Sequence, residues 1–306
     1  AHQGVIEYDP GELVITCRAG SLLSDISDIL AENRQHLPFE PPAFGHAATV
    51  GGTVACGFSG PRRPWSGSLR DYLLGVRIVN GSGSLMRFGG QVMKNVAGYD
   101  VARLVAGSMG TLGVVLEVSF KVLPLPAREL TLYFGCDQQT AIRRCNRWSG
   151  SPLPLSATCW FDDRLMVRLS GAESEVERAA ESLKADAVSD DCSPWQDLRE
   201  QRSGFFREQG RLWRLSLPPA AAAVDLEGSC LVEWGGAQRW YYSDLPAEYV
   251  RRRAAERGGY ATLFRGESSE ARFHPLPPAL HALHRRIKQA FDPHSLFNRH
   301  RMSPAW

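Results

Sequence analysis

The sequence has no marked excess of one charge and no long hydrophobic run. Lysine and arginine together number 35 against 33 aspartates and glutamates, which leaves a formal charge of +2. This charge is too small to argue for nucleic acid or an anionic membrane as a partner. No run reaches the roughly 18 apolar residues of a membrane span, and the first residues lack the pattern of a signal peptide. We therefore expect a cytoplasmic protein that does not bind nucleic acid.

Clustered cysteines are also absent. The seven cysteines are scattered without a C-x-x-C pair, whereas zinc and iron–sulfur sites need grouped thiolates and secreted frameworks need denser cysteines. His281 and His284 stand three residues apart, but no cysteine or carboxylate beside them completes a metal site. We expect reduced, mostly buried cysteines and no metal.

The usual nucleotide and hydrolase fingerprints are missing as well. The chain has no G-x-G-x-x-G after a strand, no G-x-x-x-x-G-K-[ST] and no G-x-S-x-G. An ordinary Rossmann enzyme, a P-loop NTPase and an α/β-hydrolase are therefore disfavoured. The length of 306 residues, with 43% hydrophobic and 22% charged residues, is typical of an ordinary globular protein with two domains, at about 150 residues per domain.

Glycine is plentiful and unevenly distributed. Most of the first half's glycines lie between Gly45 and Gly113. Since glycine loses much backbone entropy on folding, this density indicates tight turns or close approach of a ligand to the backbone. In residues 40–61, Gly51-Gly52 precede a short predicted helix whose first amides would suit a diphosphate. Residues 94–100 lead to Gly107-x-x-Gly110-x-x-Gly113, which predicts a turn that can lie flat against a planar ligand. Taken singly, either motif is better explained as a tight turn. Two such motifs in one domain, separated by a hairpin, favour a cofactor site.

Hydrophobic patterns predict the secondary structure on both sides of Pro124-Leu125-Pro126. Before this break we expect a strand over 12–18, a helix capped by Ser21, a hairpin over 75–88, and a strand over 114–123 with Glu117, Ser119 and Lys121 facing solvent. After it, strands over 130–134, 158–161 and 165–169 alternate with helices, notably 173–185, in a βαββαβ-like order. The last predicted helix, 279–291, places Leu280, Leu283, Ile287 and Phe291 at helical spacing for packing.

Several of these segments carry a resemblance to a known family. The sequence resembles the FAD-binding domain of the vanillyl-alcohol-oxidase, or PCMH-type, flavoproteins, and especially the FAD-binding subunits of bacterial glycolate oxidases. The similarity lies in residues 41–60, 62–71, 92–100, 107–117, 231–240 and 297–302. It implies an α+β protein with an FAD-binding domain at 1–126, a cap or substrate domain at 127–270 and a C-terminal segment, 271–306, that returns to the flavin.

The resemblance also implies which residues hold FAD. Matched by position, the following would bind it: Pro42, Gly45, Thr49, Val50, Gly51, Gly52, Gly57, Ser59, Gly60, Gly107, Gly110, Gly113, Val114, Asn298 and Arg301. The family's glycine- and serine-rich diphosphate loop lies upstream of where this sequence starts, so we expect the first lobe of the FAD domain to be largely missing. The 298–301 segment lacks the family's Pro-Gly turn. Since the flavin-linking histidine of the family usually lies in that upstream part, we expect non-covalent FAD.

The function implied is oxidation of glycolate to glyoxylate, with electrons passed through flavin to partner subunits. The expected partners are a catalytic FAD subunit, an iron–sulfur subunit and a small 2-hydroxy acid, with membrane contact only through those subunits. No His-Gly-Asp-Gly-Asn-type motif occurs, so the catalytic residues stay unassigned and we expect the chain alone to be inactive. Two alternatives remain open: a flavin-free subunit that scaffolds a catalytic paralogue, and a stand-alone FAD oxidase of another hydroxy-substrate.

Overall fold

The computed structural model describes residues 2–90, 100–267 and 271–304. Within these residues the chain forms fifteen strands and ten α-helices. In chain order they are β1 Val5–Asp9, β2 Val14–Arg18, α1 Leu23–Glu32, β3 Gln35–His36, α2 Val50–Cys56, α3 Arg63–Ser66, α4 Leu69–Tyr72, β4 Leu73–Val79, β5 Leu85–Gly89, α5 Val101–Val105, β6 Val114–Lys121, β7 Leu123–Pro124, β8 Arg128–Gly135, α6 Gln138–Ser149, β9 Leu155–Phe161, β10 Arg164–Gly171, α7 Glu173–Leu183, β11 Ala187–Ser189, α8 Ser193–Arg199, β12 Leu212–Ser216, β13 Cys230–Glu233, β14 Gln238–Tyr242, α9 Ala247–Ala255, β15 Tyr260–Arg265 and α10 Pro278–Phe291.

Contacts divide the chain into two compact units. The first contains Ala1–Gly60, Gly67–Leu125 and Pro275–Trp306, and the second contains Pro61–Ser66 and Pro126–His274. The short segment Pro61–Ser66 therefore belongs to the second unit, although the chain on both sides of it belongs to the first. The functional domains predicted from the sequence stay a prediction.

The first unit is built on a five-stranded sheet in the order β1-β2-β6-β4-β5. Each neighbouring pair is antiparallel. Strands β4 and β5 form the hairpin that the sequence predicts, with Val79 opposite Leu85. A separate two-stranded ladder joins β3 to β7, the last strand of this unit. Pro124 ends that strand and Pro126 follows it.

The core of the first unit lies between the sheet and α1. Ile26 and Leu30 of α1 are 1% and 0% exposed and belong to the same buried cluster as Phe120 of β6. The Phe39 ring packs on the Phe120 ring with centroids 5.4 Å apart. The face that α1 buries has the 3.6-residue period of an amphipathic helix, and burial of this face holds the helix on the sheet.

The second unit has an eight-stranded antiparallel sheet in the order β11-β8-β10-β9-β13-β14-β12-β15. Its first elements, β8-α6-β9-β10-α7-β11, confirm the predicted βαββαβ order. One cluster of buried apolar residues combines α6 and α7 with β8, β9 and β10. A second cluster joins Val250 and Ala254 of α9 to Trp213 of β12. Antiparallel sheets with helices packed on them confirm the α+β fold class.

Three local expectations are wrong. Leu22, not Ser21, is the N-cap of α1, because the Ser21 hydroxyl instead accepts the Gly4 amide at 2.8 Å. Ser119 is buried, and its hydroxyl forms a hydrogen bond of 2.8 Å with that of Thr16 on the neighbouring strand. Leu280 and Leu283 of α10 are 46% and 47% exposed rather than packed. The first two differences arise because a hydrophobic pattern does not register the hydrogen bonds that polar side chains form.

Replacing Phe120 by alanine should destabilise the first unit by about 3–5 kcal/mol, because it removes a fully buried ring and leaves a cavity beside Phe39. Urea unfolding followed by tryptophan fluorescence and circular dichroism measures the change. Lys121→Ala, a half-buried position next in the same strand, is the control and should change stability by less than about 0.5 kcal/mol. Equal midpoints for the two variants would contradict the packing described.

Candidate functional site

The two glycine-rich motifs of the sequence meet in the first unit. Gly107 opens the turn formed by residues 107–113 and donates its amide to the carbonyl of Val54 in α2 at 2.9 Å. Gly57 is the C-cap of α2 with a φ of 65°. A Cβ at Gly57 would lie 2.8 Å from the Cα of Gly107. Only glycine permits this approach, because any side chain at residue 57 would collide with backbone.

The start of α2 was expected to offer unpaired amides to a diphosphate, and this expectation is wrong. Thr49 is the N-cap, and its hydroxyl accepts the amide of Gly52 at 3.2 Å. The Gly51 amide donates to the carbonyl of Ala19 at 2.8 Å, and the Val50 amide likewise donates to a backbone carbonyl of the loop before α1. An anion at this helix end would therefore have to replace internal hydrogen bonds.

The predicted glycines divide into two groups. A Cβ at Gly51, Gly60 or Gly113 would lie 2.7, 2.3 or 2.7 Å from atoms of a neighbouring segment, so packing alone explains these three. At Gly45, with a φ of 129°, no described atom lies within 4 Å of that position. At Gly107, with a φ of 78°, the nearest atoms lie at 4.0 Å. The last two glycines are required by conformation and face open space, where a ligand can approach the backbone.

Other predicted residues are placed within the same unit. Val50 is fully buried in the core, and the Ser59 hydroxyl accepts the amide of Leu69 at 3.0 Å. Pro42 is half-buried. Val114, at the start of β6, is 49% exposed. Val50 and Ser59 thus have structural roles that are sufficient to explain them.

The C-terminal segment lies against the 107–113 turn. The Asn298 side-chain amide donates to the carbonyl of Met109 at 2.6 Å. A Cβ at Gly110 would stand 2.8 Å from the Asn298 Nδ2. Asn298 and His300 adopt φ values of 39° and 59°, so two non-glycine residues in the left-handed region make this turn without a Pro-Gly pair.

Arg301 and Met302 continue this contact. Burial raises the pKa of the Cys56 thiol, and the Arg301 guanidinium acts in the opposite direction. The Thr111 hydroxyl points to the Met302 sulfur at 3.8 Å. The structure thus brings together, at one junction of backbone, the predicted residues Gly57, Gly107, Gly110, Asn298 and Arg301.

Behind this junction lie two residues that the sequence did not single out, Lys288 and Asp292. Lys288 is 4% exposed and Asp292 is 0% exposed, and the Lys288 ammonium donates to the Asp292 carboxylate at 2.5 Å. A second donor of the same ammonium reaches the carbonyl of Thr111 at 2.8 Å. The i, i+4 spacing of lysine and aspartate at the end of a helix was the available signal, but it is equally common on exposed surfaces.

The buried carboxylate of Asp292 is held ionised by its hydrogen bonds. Burial opposes ionisation, but the Lys288 ammonium and the amides of Leu296 and Phe297 outweigh it, so the pKa of Asp292 lies below its usual value. Those two amides donate to the carboxylate at 2.9 Å each. The ion pair is therefore fully hydrogen-bonded, as a buried pair must be to persist.

Part of the second glycine-rich motif lies outside the described residues. Lys94 to Tyr99 belong to the stretch 91–99, which falls between two of the described ranges. Asp100 is described, and its carboxylate caps α5 by accepting the amide of Arg103.

The arginine pair that follows Gly60 is engaged within the second unit. Arg62 forms an ion pair with Glu129, and the Arg63 guanidinium lies 4.5 Å from the centre of the Trp234 ring. Trp65 packs against the cluster of β8, α6 and β9. The Arg62 side chain is only 11% exposed, so these contacts anchor Pro61–Ser66 within the second unit.

Neither a metal cluster nor a membrane-spanning helix occurs in the described residues. In that part of the chain, no three histidine, cysteine or acidic side chains are grouped so as to hold a metal ion. Within the same ranges, no helix has both the length and the apolar character needed to cross a membrane.

The backbone junction could hold the ring end of a flavin. At Gly107 a Cβ would have no neighbour nearer than 4.0 Å, whereas the space at Gly110 is taken by the Asn298 side chain. The Asn298 amide and the Arg301 guanidinium lie beside these glycines. A flat aromatic ring and a polar chain need such a combination of bare backbone and a few donors. The amides at the start of α2 offer no free donors for the diphosphate of FAD, because they are already bonded within the protein.

Comparison with known proteins defines the class. A family model described as an FAD binding domain matches residues 1–89. The structure of alkyldihydroxyacetonephosphate synthase superposes with a TM-score of 0.64 at 14% identity, over 97% of this chain and 66% of that one. The chain thus carries an FAD-binding domain, and the superposition shows the fold.

The sequence relatives define the family more closely. The chain is 48% identical to the glycolate oxidase subunit GlcE of Escherichia coli K12, over 98% of this chain and 85% of that protein. It is 34% identical to the glycolate oxidase subunit GlcD of Bacillus subtilis, over 42% of this chain and 27% of that protein. The chain belongs to the family of GlcE glycolate oxidase subunits, which confirms the resemblance seen in the sequence.

Gly57→Ala should destabilise the first unit more than Gly83→Ala does. Both glycines have positive φ, 65° and 75°, but the new Cβ meets the Gly107 backbone at residue 57 and open space at residue 83. Both variants pay the same conformational cost of about 1 kcal/mol for a positive φ. Any further loss of unfolding free energy in Gly57→Ala therefore measures the collision with Gly107. Urea midpoints measure it. Equal losses at both positions would show that the two motifs do not depend on this contact.

Asp292→Asn should destabilise the protein by about 3 kcal/mol or more at pH 7, because it leaves Lys288 buried without its counter-charge. Since the pKa of Asp292 is lowered on folding, its contribution is present above the unfolded pKa of about 4 and is lost as pH falls through the folded pKa. The difference between parent and variant should therefore shrink below about pH 4.

Urea unfolding of both proteins from pH 3 to pH 7 measures this difference. Asp28→Asn, at an exposed position of α1, is the control and should give no comparable loss at pH 7. A difference between parent and Asp292→Asn that is constant with pH would contradict an ionised, buried Asp292.

Proposed function

We propose that this chain is the FAD-binding subunit of a glycolate oxidase complex, in which glycolate is oxidised to glyoxylate. The identity of 48% with GlcE over nearly the whole chain carries this proposal. The match of the first 89 residues to an FAD binding domain agrees with it, as does the side-chain-poor junction at Gly107. Glycolate loses two electrons and two protons in this reaction, and FAD when bound would supply the redox chemistry by accepting the electrons.

The chain's own residues would hold and shield the cofactor. Gly45 and Gly107 would let the ring and ribityl chain approach backbone. Gly110 would make room for Asn298, and Asn298 and Arg301 would supply polar contacts at the edge of the junction. Buried apolar residues below the junction, such as Val50 of α2, would keep water from the protein side of the ring. The remaining residues predicted to bind FAD stay part of this proposal, although the structure assigns them no free hydrogen-bond donor for it.

Partner subunits complete the proposed function. The relatives named GlcE and GlcD are both glycolate oxidase subunits. We place this chain in a multi-subunit complex with a GlcD-type FAD subunit and an iron–sulfur subunit, in the cytoplasm, with membrane contact only through those partners. The chain carries no assigned catalytic group, so it would be inactive alone and would act on glycolate only within the complex.

One observation favours the flavin-free scaffold as the second candidate. The amides of Val50, Gly51 and Gly52, the expected diphosphate donors, are all used inside the protein. A subunit that lacks diphosphate donors would serve as a structural partner of a catalytic paralogue. The visible spectrum of the purified chain separates the two candidates.

The purified chain should show the absorption bands of an oxidised flavin and should release all of it on acid precipitation, because the FAD is held without a covalent bond. With glycolate and an artificial dye as electron acceptor, the chain alone should reduce dye at the background rate. Addition of the GlcD-type and iron–sulfur subunits should restore dye reduction.

Each outcome decides between the candidates. A colourless chain that still restores activity to its partners would favour the scaffold. Yellow colour retained in the acid pellet would contradict non-covalent binding. Robust dye reduction by the chain alone would overturn the accessory role and favour a stand-alone oxidase. Omission of glycolate is the control for dye reduction that does not depend on the substrate.

A further inference from the structure

Helix α10 buries a lysine while exposing its leucines. Lys288 is 4% exposed, whereas Leu280 and Leu283 are 46% and 47% exposed. The ammonium of Lys288 has three donors, and each has an acceptor: the carbonyls of Thr111 and Phe297 at 2.8 and 2.9 Å and the Asp292 carboxylate at 2.5 Å. A lysine is buried in this way only where such partners replace its water.

The acceptors of Lys288 join two parts of the chain that are far apart in sequence. Thr111 belongs to the 107–113 turn, while Asp292 and Phe297 follow α10. The Asp292 carboxylate in turn accepts the Phe297 amide at 2.9 Å. We call this set the Lys288 clasp, comprising Lys288, Asp292, Thr111 and Phe297.

Gly81, in the turn between β4 and β5, packs against Asp292 of the clasp. The Gly81 amide donates to the carbonyl of Phe291 at 2.8 Å. A Cβ at Gly81 would stand 2.3 Å from the Asp292 Oδ1. The β4–β5 hairpin therefore seals the ion pair from water, which strengthens its electrostatics and raises the penalty for leaving either charge alone.

The clasp holds a strained segment in place. Ser295, Asn298 and His300 have φ values of 49°, 39° and 59°. Non-glycine residues keep such conformations only where the surroundings over-determine them. Asn298 lies one residue after Phe297 and reaches the Met109 carbonyl, so the register of this contact depends on the clasp.

We propose that Lys288 and Asp292 are positioning residues for the flavin: they set the register of the 107–113 turn against Asn298 and Arg301, and thereby pre-organise the edge that receives FAD. This inference rests on the proposed function. The clasp acts through Thr111 and Phe297 and does not itself contact the cofactor. Pre-organisation increases affinity because the bound protein has less to order.

Two variants and their combination test the clasp. Lys288→Met removes the ammonium, Asn298→Ala removes the contact with Met109, and the double variant contains both changes. FAD affinity is measured by titration of the flavin-free chain, well below each melting temperature. Amide hydrogen exchange of residues 107–113 and of Phe297 is measured on the same samples without FAD. Ile26→Ala, in the core of the same unit and 1% exposed, is the control for lost stability.

We expect Lys288→Met to weaken FAD binding by about tenfold and to accelerate exchange at Met109 and Phe297. The double variant should lose less FAD affinity than the two single losses added together, because part of the effect of Lys288 is exerted through the position of Asn298. Lys288→Arg, which retains donors and charge, should recover part of the affinity. Ile26→Ala should lower the melting temperature while FAD affinity stays within about twofold of the parent, since it leaves the clasp intact.

Full affinity in Lys288→Met, or losses that simply add in the double variant, would overturn the clasp as a positioning device. An equal loss of affinity in Ile26→Ala would also overturn it, since stability alone would then explain the effect. If Lys288→Met does not fold, Lys288→Arg takes its place in the same cycle. If the parent binds no FAD, the proposed function fails, and hydrogen exchange without FAD still decides whether Lys288 orders the 107–113 turn.

Discussion

The end of α2 and the turn at Gly107 lie against each other with no side chain between them. The amide of Gly107 reaches a carbonyl of α2, and a Cβ on Gly57 would collide with Gly107. Every other element of the candidate site is arranged around this approach. The C-terminal segment adds the Asn298 amide on the Met109 carbonyl, and β6 continues from the far end of the turn.

Because no side chains interlock where α2 meets the 107–113 turn, other contacts must fix the position of these segments. Glycines supply freedom, not rigidity, since they lose more entropy than other residues when ordered. The Lys288 clasp supplies the rigidity, because an ammonium with three fixed acceptors and a carboxylate with two fixed amides have little freedom to move. The candidate site thus combines bare backbone at Gly107 with a buried ion pair behind it.

The segments that carry the family resemblance are divided between the two units. Glycine-rich residues of the first unit form the junction, whereas the Gly-Pro-Arg-Arg-Pro-Trp motif begins in that unit and then joins the second through Arg62 and Glu129. The motif Leu231–Trp240 lies in the sheet of the second unit, where the Trp240 indole donates to the buried Glu233 carboxylate at 2.6 Å. Family motifs in this chain therefore mark internal anchors as well as surfaces for a ligand.

The sequence was sufficient to predict the strands near β2, β6, β8, β9 and β10, the hairpin of β4 and β5, the βαββαβ order and the last helix. These depend on periodicity and turn residues that are close together in the chain. It also located both glycine-rich motifs, although it did not separate Gly51, required by packing, from Gly45, which faces open space.

Only the tertiary structure decided that the first amides of α2 are already bonded, that Ser119 is buried, and that Lys288 rather than Leu280 faces the interior. Each of these depends on a partner far away along the chain, as Thr111 is from Lys288. Local sequence patterns report the tendency of a segment to be helical or extended and which face is apolar. They do not report where a polar group finds the hydrogen bonds that offset its burial, because those partners exist only once the chain has folded.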